Sequence, residues 1–126
     1  MDVDIMQHVN NARYLNFLEE ARLSYSQEAI GLFDRLSDLN VVVARIEIDF
    51  IMPLFYPQEV VIWTRVNEIG KKSFQFSSIL GIESQNNFEP AAKTLQTLVY
   101  FSAKERKSTA IPSDIKQKIM QFEEKR

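Results

Sequence analysis

The sequence predicts an α+β fold, with one long helix followed by consecutive antiparallel strands and a second helix closing the chain. Three observations lead there. A helical apolar stripe runs from about Asn11 to Ile30, the period then changes to two, and the links between the later segments are short. Periodicity alone does not choose among the folds that share this order, although a sheet wrapped over an amphipathic helix is the simplest way to bury both apolar faces.

In the first element Tyr14, Leu18, Ala21 and Tyr25 recur at helical spacing, and Leu15, Phe17 and Leu32 widen the stripe. Arg13, Asn16, Glu20, Ser24 and Gln27 form the polar face. Asn10 and Asn11 are good N-caps, and Gly31 stands where a helix stops. Ala44 to Phe50 alternates apolar and charged residues, as a strand with one face in the core does; Arg45, Glu47 and Asp49 form its outward face. Pro53 and Pro57 bracket a turn. Glu59 to Val66 is rich in Val, Ile, Trp and Thr and reads as a strand. Gly70-Lys71-Lys72 turns the chain into a strand from Ser73 to Leu80. Glu83 to Pro90 reads as a polar loop, and Ala92 to Ala103 as the next strand. Pro112-Ser113-Asp114 opens a helix that runs to about Glu124.

Composition bounds the function. The 126 residues, 45% apolar and 25% charged, suit one globular domain spanning the whole chain. No apolar run reaches the ~20 residues of a membrane span. The acidic start, Met1-Asp2-Val3-Asp4, is unlike a signal peptide, so a cytoplasmic location is expected. The absence of cysteine excludes disulfides and thiolate chemistry, and a net charge of -2 without a basic block argues against nucleic-acid binding. One histidine cannot build a metal site, so no metal is expected.

The segment Asp4-Ile5-Met6-Gln7-His8-Val9-Asn10-Asn11-Ala12-Arg13-Tyr14-Leu15, followed by Glu19-Glu20-Ala21-Arg22, resembles the signature that opens the central helix of hotdog-fold acyl-CoA thioesterases of the 4-hydroxybenzoyl-CoA thioesterase type. Ile46 to Leu54, a strand ending in Pro53, and Ile69 to Phe74 resemble two further stretches of that family. The resemblance runs from Asp2 to about Phe101. Gln7 replaces a glycine common in relatives. The family also places a strand ahead of the aspartate, so the expected hotdog sheet lacks its first strand and has an open edge.

The resemblance implies hydrolysis of acyl-CoA or acyl-carrier-protein thioesters to free acid and thiol, with coenzyme A as part of the substrate and no other cofactor. Such chemistry needs an activated water or nucleophile and donors for the developing oxyanion. A carboxylate supplies the first, and the unpaired amides at a helix N-terminus supply the second. By the resemblance, Asp4 is nucleophile or base, and the helix start at Asn10 and Asn11 polarises the carbonyl. His8 stands within the same signature, although a lone histidine is more often structural, and without the resemblance Asp4 is simply an acid complementing a helix dipole. Lys71, Lys72 and Ser73 then hold coenzyme A phosphates, where the plain reading is a solvated basic turn. Tyr14, Leu18 and Phe50 line the acyl group as well as the core, and Asn10 adds a substrate contact. Glu19 reads as a solvated helix acid. A homodimer is expected, with a tetramer as the larger assembly by family analogy. Two other readings remain at this point: a non-catalytic acyl-CoA-binding or assembly module, and a hotdog enoyl-thioester hydratase, against which the three residues between Asp4 and His8 weigh.

Overall fold

A computed structural model describes residues 11–31, 41–55 and 59–125. Helix α1 covers Asn11–Ala29, followed by strands β1 (Val41–Phe50), β2 (Val61–Ile69), β3 (Ser73–Ser84), β4 (Asn87–Ser102) and β5 (Lys107–Ser108), and by helix α2 (Ser113–Glu124). The sheet order is β1-β4-β3-β2, every pairing is antiparallel, and the short β5 pairs with the end of β4. This is the antiparallel sheet over a long helix that the sequence predicts.

Tyr14, Leu18, Tyr25 and Ile30 are buried, so the helical stripe does become the inner face of α1. Gly31 ends the helix at φ +81°, its amide donating to the carbonyls of Ser26 and Gln27 at 3.1 Å. That left-handed conformation is one a side chain disfavours, which is why glycine stops the helix there.

The core has two ends. Tyr25, Val66, Phe74, Phe76, Leu98, Ile111 and Ile119 pack together under the C-terminal half of α1. Here α2 adds Ile115, Ile119 and Phe122, spaced to share one helical face. Tyr14, Leu18, Leu54, Leu80, Ala91 and Ala92 pack under the N-terminal half. Because β4 pairs Leu98 with Phe74 and Ala92 with Leu80, α1 runs alongside β4 in the same direction.

Three expectations need correction. Residues 83–90 are not a loop: β3 and β4 continue to Ser84 and Asn87 and meet in a two-residue turn, Gln85 and Asn86, both at positive φ (52° and 68°). A turn of that hand matches the twist of the flanking strands. β1 begins at Val41 rather than Ala44, because a bulge between Val43 and Arg45 lets the apolar run join the same strand. The apolar face of β1 is also not sealed in the core, as Ile46 and Phe50 are 36% and 50% exposed. The expectations for Pro57, for Leu32 and for a first strand ahead of the helix fall outside the described residues.

Candidate active site

The helix N-terminus and the strip beside it are the place to build from. Tyr14 is buried there and meets the Phe50 ring edge-on at 5.0 Å. Burial holds its hydroxyl above the ordinary phenol range. Leu18 is fully buried one turn later, and Arg13 stacks over Phe17 at 4.5 Å from the ring centre. Thus the structure sets Tyr14 beside both Leu18 and Phe50. Asp4, His8 and Asn10 lie outside the described residues; Asn11 is the first residue of α1, and only its backbone is described.

Facing strand partners share one side of a sheet. The residues of β4 under the helix, Ala92, Thr94, Gln96 and Leu98, pair with Phe50, Ile48, Ile46 and Val43 of β1. Through the bulge, β1 therefore presents an apolar row, Val41, Val43, Ile46, Ile48 and Phe50, to the helix side. The helix leans toward β2 instead. Val43, Ile46 and Phe50 are left open, and Leu15, Ile51 and Phe55 extend the exposed apolar surface around the start of α1. Arg45, Glu47 and Asp49 point to the other side, and Arg45 pairs with Glu47 at 3.2 Å in solvent. On the opposite edge of the sheet, Glu123 of α2 accepts the Tyr25 hydroxyl and, at 2.9 Å, the outward amide of Val66.

Lys71, Lys72 and Ser73 form the β2–β3 turn, tied by the Gly70 amide to the Ser73 carbonyl at 2.7 Å, and both lysines are exposed. The Lys72 carbonyl accepts the amide of Tyr100, whose strand partner is Val41. This turn is at the opposite end of the sheet from Tyr14: seven residue pairs separate Ser73 from Leu80 along β3, about 23 Å at a strand's rise. One protomer does not bring its own lysine turn to its own helix start.

One constellation escapes sequence reasoning. Arg22, on the buried stripe of α1, is only 9% exposed and donates through Nη1 to Oε1 of Gln96, which is fully buried on β4. Burial pulls the guanidinium below its ordinary range, and the carboxylate of Glu19, one turn earlier, pushes it back up. Arg22 Nε and Gln96 Nε2 find no partner among the described residues. With the Thr64–Ser78 hydroxyl pair at 2.9 Å and buried Thr94, they make a polar seam between the two apolar ends of the core. A charged residue inside an apolar stripe was the only signal available in advance. Among the described residues, no three His, Cys, Asp or Glu side chains gather as a metal would require.

The model of the thioesterase-like superfamily matches residues 1–119 of the chain. The chain belongs to that superfamily. Long-chain acyl-CoA thioesterase FadM of Escherichia coli K12 is 31% identical over 122 residues, covering 95% of this chain and 90% of FadM. A thioesterase of Thermus thermophilus, solved with coenzyme A and zinc, superposes with a TM-score of 0.82 at 32% identity, covering 97% of this chain and 86% of that one. YbaW, a probable thioesterase from Escherichia coli, gives 0.78 at 30% identity over 95% of this chain and 90% of its own. The chain is thus a hotdog-fold thioesterase, as the Asp4–Leu15 signature led one to expect.

Proposed function

We propose that this thioesterase hydrolyses acyl-CoA, or the equivalent carrier-protein thioester, at a site assembled from two copies of the chain in the cytoplasm. FadM is named for acyl-CoA substrates and the Thermus neighbour was solved with coenzyme A. The observation that carries the two-copy reading is the apolar row of β1, uncovered on the helix side while Ala92, Thr94, Gln96 and Leu98 of β4 and Phe74, Phe76, Ser78 and Leu80 of β3 on that face are buried.

Pairing β1 with β1 of a second copy about a two-fold axis continues the sheet and gives each open row a neighbour. It also sets Val41 of one copy beside Phe50 of the other. The lysine turn lies two strands inward from Val41, so it comes within about three strand spacings, roughly 14 Å, of the other copy's Phe50 and helix start. A single extended ligand then reaches both. In this arrangement Lys71, Lys72 and Ser73 of one copy hold the phosphates, and Tyr14, Leu18 and Phe50 of the other flank the acyl group. The carbonyl sits at the amide end of α1. Asp4 either takes a proton from an attacking water or attacks the carbonyl itself, in which case the mixed anhydride left when the thiolate departs is hydrolysed by water to the free acid and the Asp4 carboxylate. The oxyanion rests on helix amides near Asn10 and Asn11, where the dipole end is positive. As the tetrahedral intermediate collapses, the carbon–sulfur bond breaks and the thiolate leaves, to be protonated as free coenzyme A. His8 and Asn10 orient the carbonyl. Two such dimers can associate into a tetramer.

The test is subunit complementation. Asp4→Asn lowers kcat by about 10²–10⁴-fold, the usual range for losing an acid–base group. A Lys71→Ala, Lys72→Ala double variant raises KM for acyl-CoA. Mixed dimers of the two regain one intact site, so activity at low substrate rises above both parents. If mixing restores nothing, or light scattering finds a stable monomer that is fully active, the composite site is wrong.

A further inference from the structure

Two turns at the lysine end of the sheet are joined by their backbones into one shelf. The Tyr100 amide donates to the Lys72 carbonyl at 2.9 Å, and the Tyr100 carbonyl accepts the Thr109 amide at 2.8 Å. The Ile111 amide donates to the Lys71 carbonyl at 2.9 Å. Residues 107–111 therefore run past the lysine turn along the line of β3, and β5 with the end of β4 makes a short hairpin that stands beyond it. In a chain of net charge -2, residues 70–73 and 102–109 hold five cations, Lys71, Lys72, Lys104, Arg106 and Lys107, against the single acid Glu105. All five are exposed. Of the five, Lys107 alone meets an acid among the described residues, and that is Glu105 at 4.0 Å in solvent. Arg106 adds an independent observation. It closes the 103–106 turn at φ +55°, a left-handed conformation that glycine adopts without strain. An arginine placed there at a conformational cost points to a use for its side chain.

We propose that Lys104, Arg106 and Lys107 hold the ribose 3′-phosphate of coenzyme A, so that this enzyme takes its acyl group from coenzyme A rather than from a carrier protein. The inference rests on the reading that Lys71 and Lys72 hold the pyrophosphate of the same ligand. Alternation along β4 puts Ser102, and with it its strand partner Lys107, on the helix side with Tyr100, the side on which the thioester end is proposed. Lys107 is two residues beyond Thr109, so its backbone lies about 7 Å past the point where Tyr100 meets Lys72. In coenzyme A six single bonds separate the phosphorus atoms on the ribose 5′ and 3′ oxygens, which keeps them within about 8 Å of each other. One nucleotide therefore spans the step from the lysine turn to Lys107. The 3′-phosphate brings negative charge and acceptor oxygens to cations that have only Glu105 for an acid. A phosphopantetheine arm on a carrier protein has no ribose and no 3′-phosphate, and it leaves these three cations unused.

The experiment presents one acyl group on coenzyme A, on 3′-dephospho-coenzyme A and on the phosphopantetheine of a carrier protein. Wild type should show a KM about tenfold higher for the dephospho substrate than for acyl-CoA, the scale of a charge-assisted contact, and added salt should narrow the gap. Arg106→Gly suits the left-handed backbone, so it removes the charge and leaves the turn intact. Combined with Lys107→Gln it should raise KM for acyl-CoA about tenfold and bring the two substrates together. Arg106→Lys keeps the charge and should retain most of the gap. Equal KM values for the two substrates in wild type, or variants that raise both alike, overturn the proposal. So does a preference for the carrier-protein thioester that the double variant abolishes, since the shelf would then be docking the acidic surface of a carrier. Any of these results with acyl-CoA hydrolysis intact removes this inference alone, whereas hydrolysis of no thioester at all removes the underlying reading too.

Discussion

The two ends of the core differ in how completely they are closed. Under the C-terminal half of α1, Tyr25 stands edge-on between Phe76 and Phe122 at 5.0 and 5.2 Å, and α2 covers what the sheet leaves open. Under the N-terminal half, Tyr14 has Phe50 on one side, and Phe50 is half in solvent. The closed end is covered by α2 of the same chain. The open end is where the thioester chemistry is proposed, and its exposed apolar surface is what a second copy and an acyl chain would cover. Stability is concentrated at the closed end.

That contrast can be broken most sharply with a matched pair of phenylalanines. Phe76→Ala, at a fully enclosed site, should cost about 3–5 kcal/mol of stability in urea unfolding. Phe50→Ala should cost under about 1 kcal/mol in the monomer, since half its surface is already wet, yet weaken dimerisation and raise KM. Equal losses at both positions would remove the distinction between the ends. A smaller effect probes how α2 seals the closed end. Glu123→Ala leaves the Val66 amide and the Tyr25 hydroxyl without that acceptor, and it should lower stability by about 1–3 kcal/mol. An unchanged melting temperature would mean that α2 is held by Ile115, Ile119 and Phe122 alone. The smallest effect concerns the open end and pH. Burial raises the Tyr14 pKa above 10.0, so the folded chain holds that proton more tightly than the unfolded chain does. The associated stability is complete below pH 10 and is lost as pH climbs through the raised value. Between about pH 9 and pH 11, Tyr14→Phe should therefore lose less stability than wild type, by a margin smaller than the Glu123→Ala effect. Parallel profiles would show that the ring, and not its hydroxyl, is what burial acts on.

Much of this was legible in the sequence because it is local. The Tyr14–Leu18–Tyr25 stripe, Gly31 at the helix stop and the 113–124 helix follow from spacing and caps, and the Asp4–Leu15 signature named the family outright. What the sequence concealed depends on pairing between distant residues. Val41 to Val43 shows no alternation, and only the bulge beyond it brings Val41 and Val43 onto the face of Ile46 and Ile48. Gln85-Asn86 lacks the glycine that usually betrays a tight hairpin, so two strand ends read as a loop. Arg22 looks like one more charged helix residue until Gln96, 74 positions away, is placed beneath it. The separation of the lysine turn from the helix start is a matter of strand direction, which no short-range pattern encodes.

The hairpin of β3 and β4 has a consequence for how the molecule assembles. It joins the two longest strands through a two-residue turn, with twelve cross-strand partners from Ser84 and Asn87 outward. Zipping from that turn costs little chain entropy, and β2 follows onto β3 through the short 70–72 turn, whereas β1 must be brought in across a longer separation. This ribbon is therefore the natural nucleus of folding, and the edge that later receives β1 is ready before the strand that carries the open apolar row has docked.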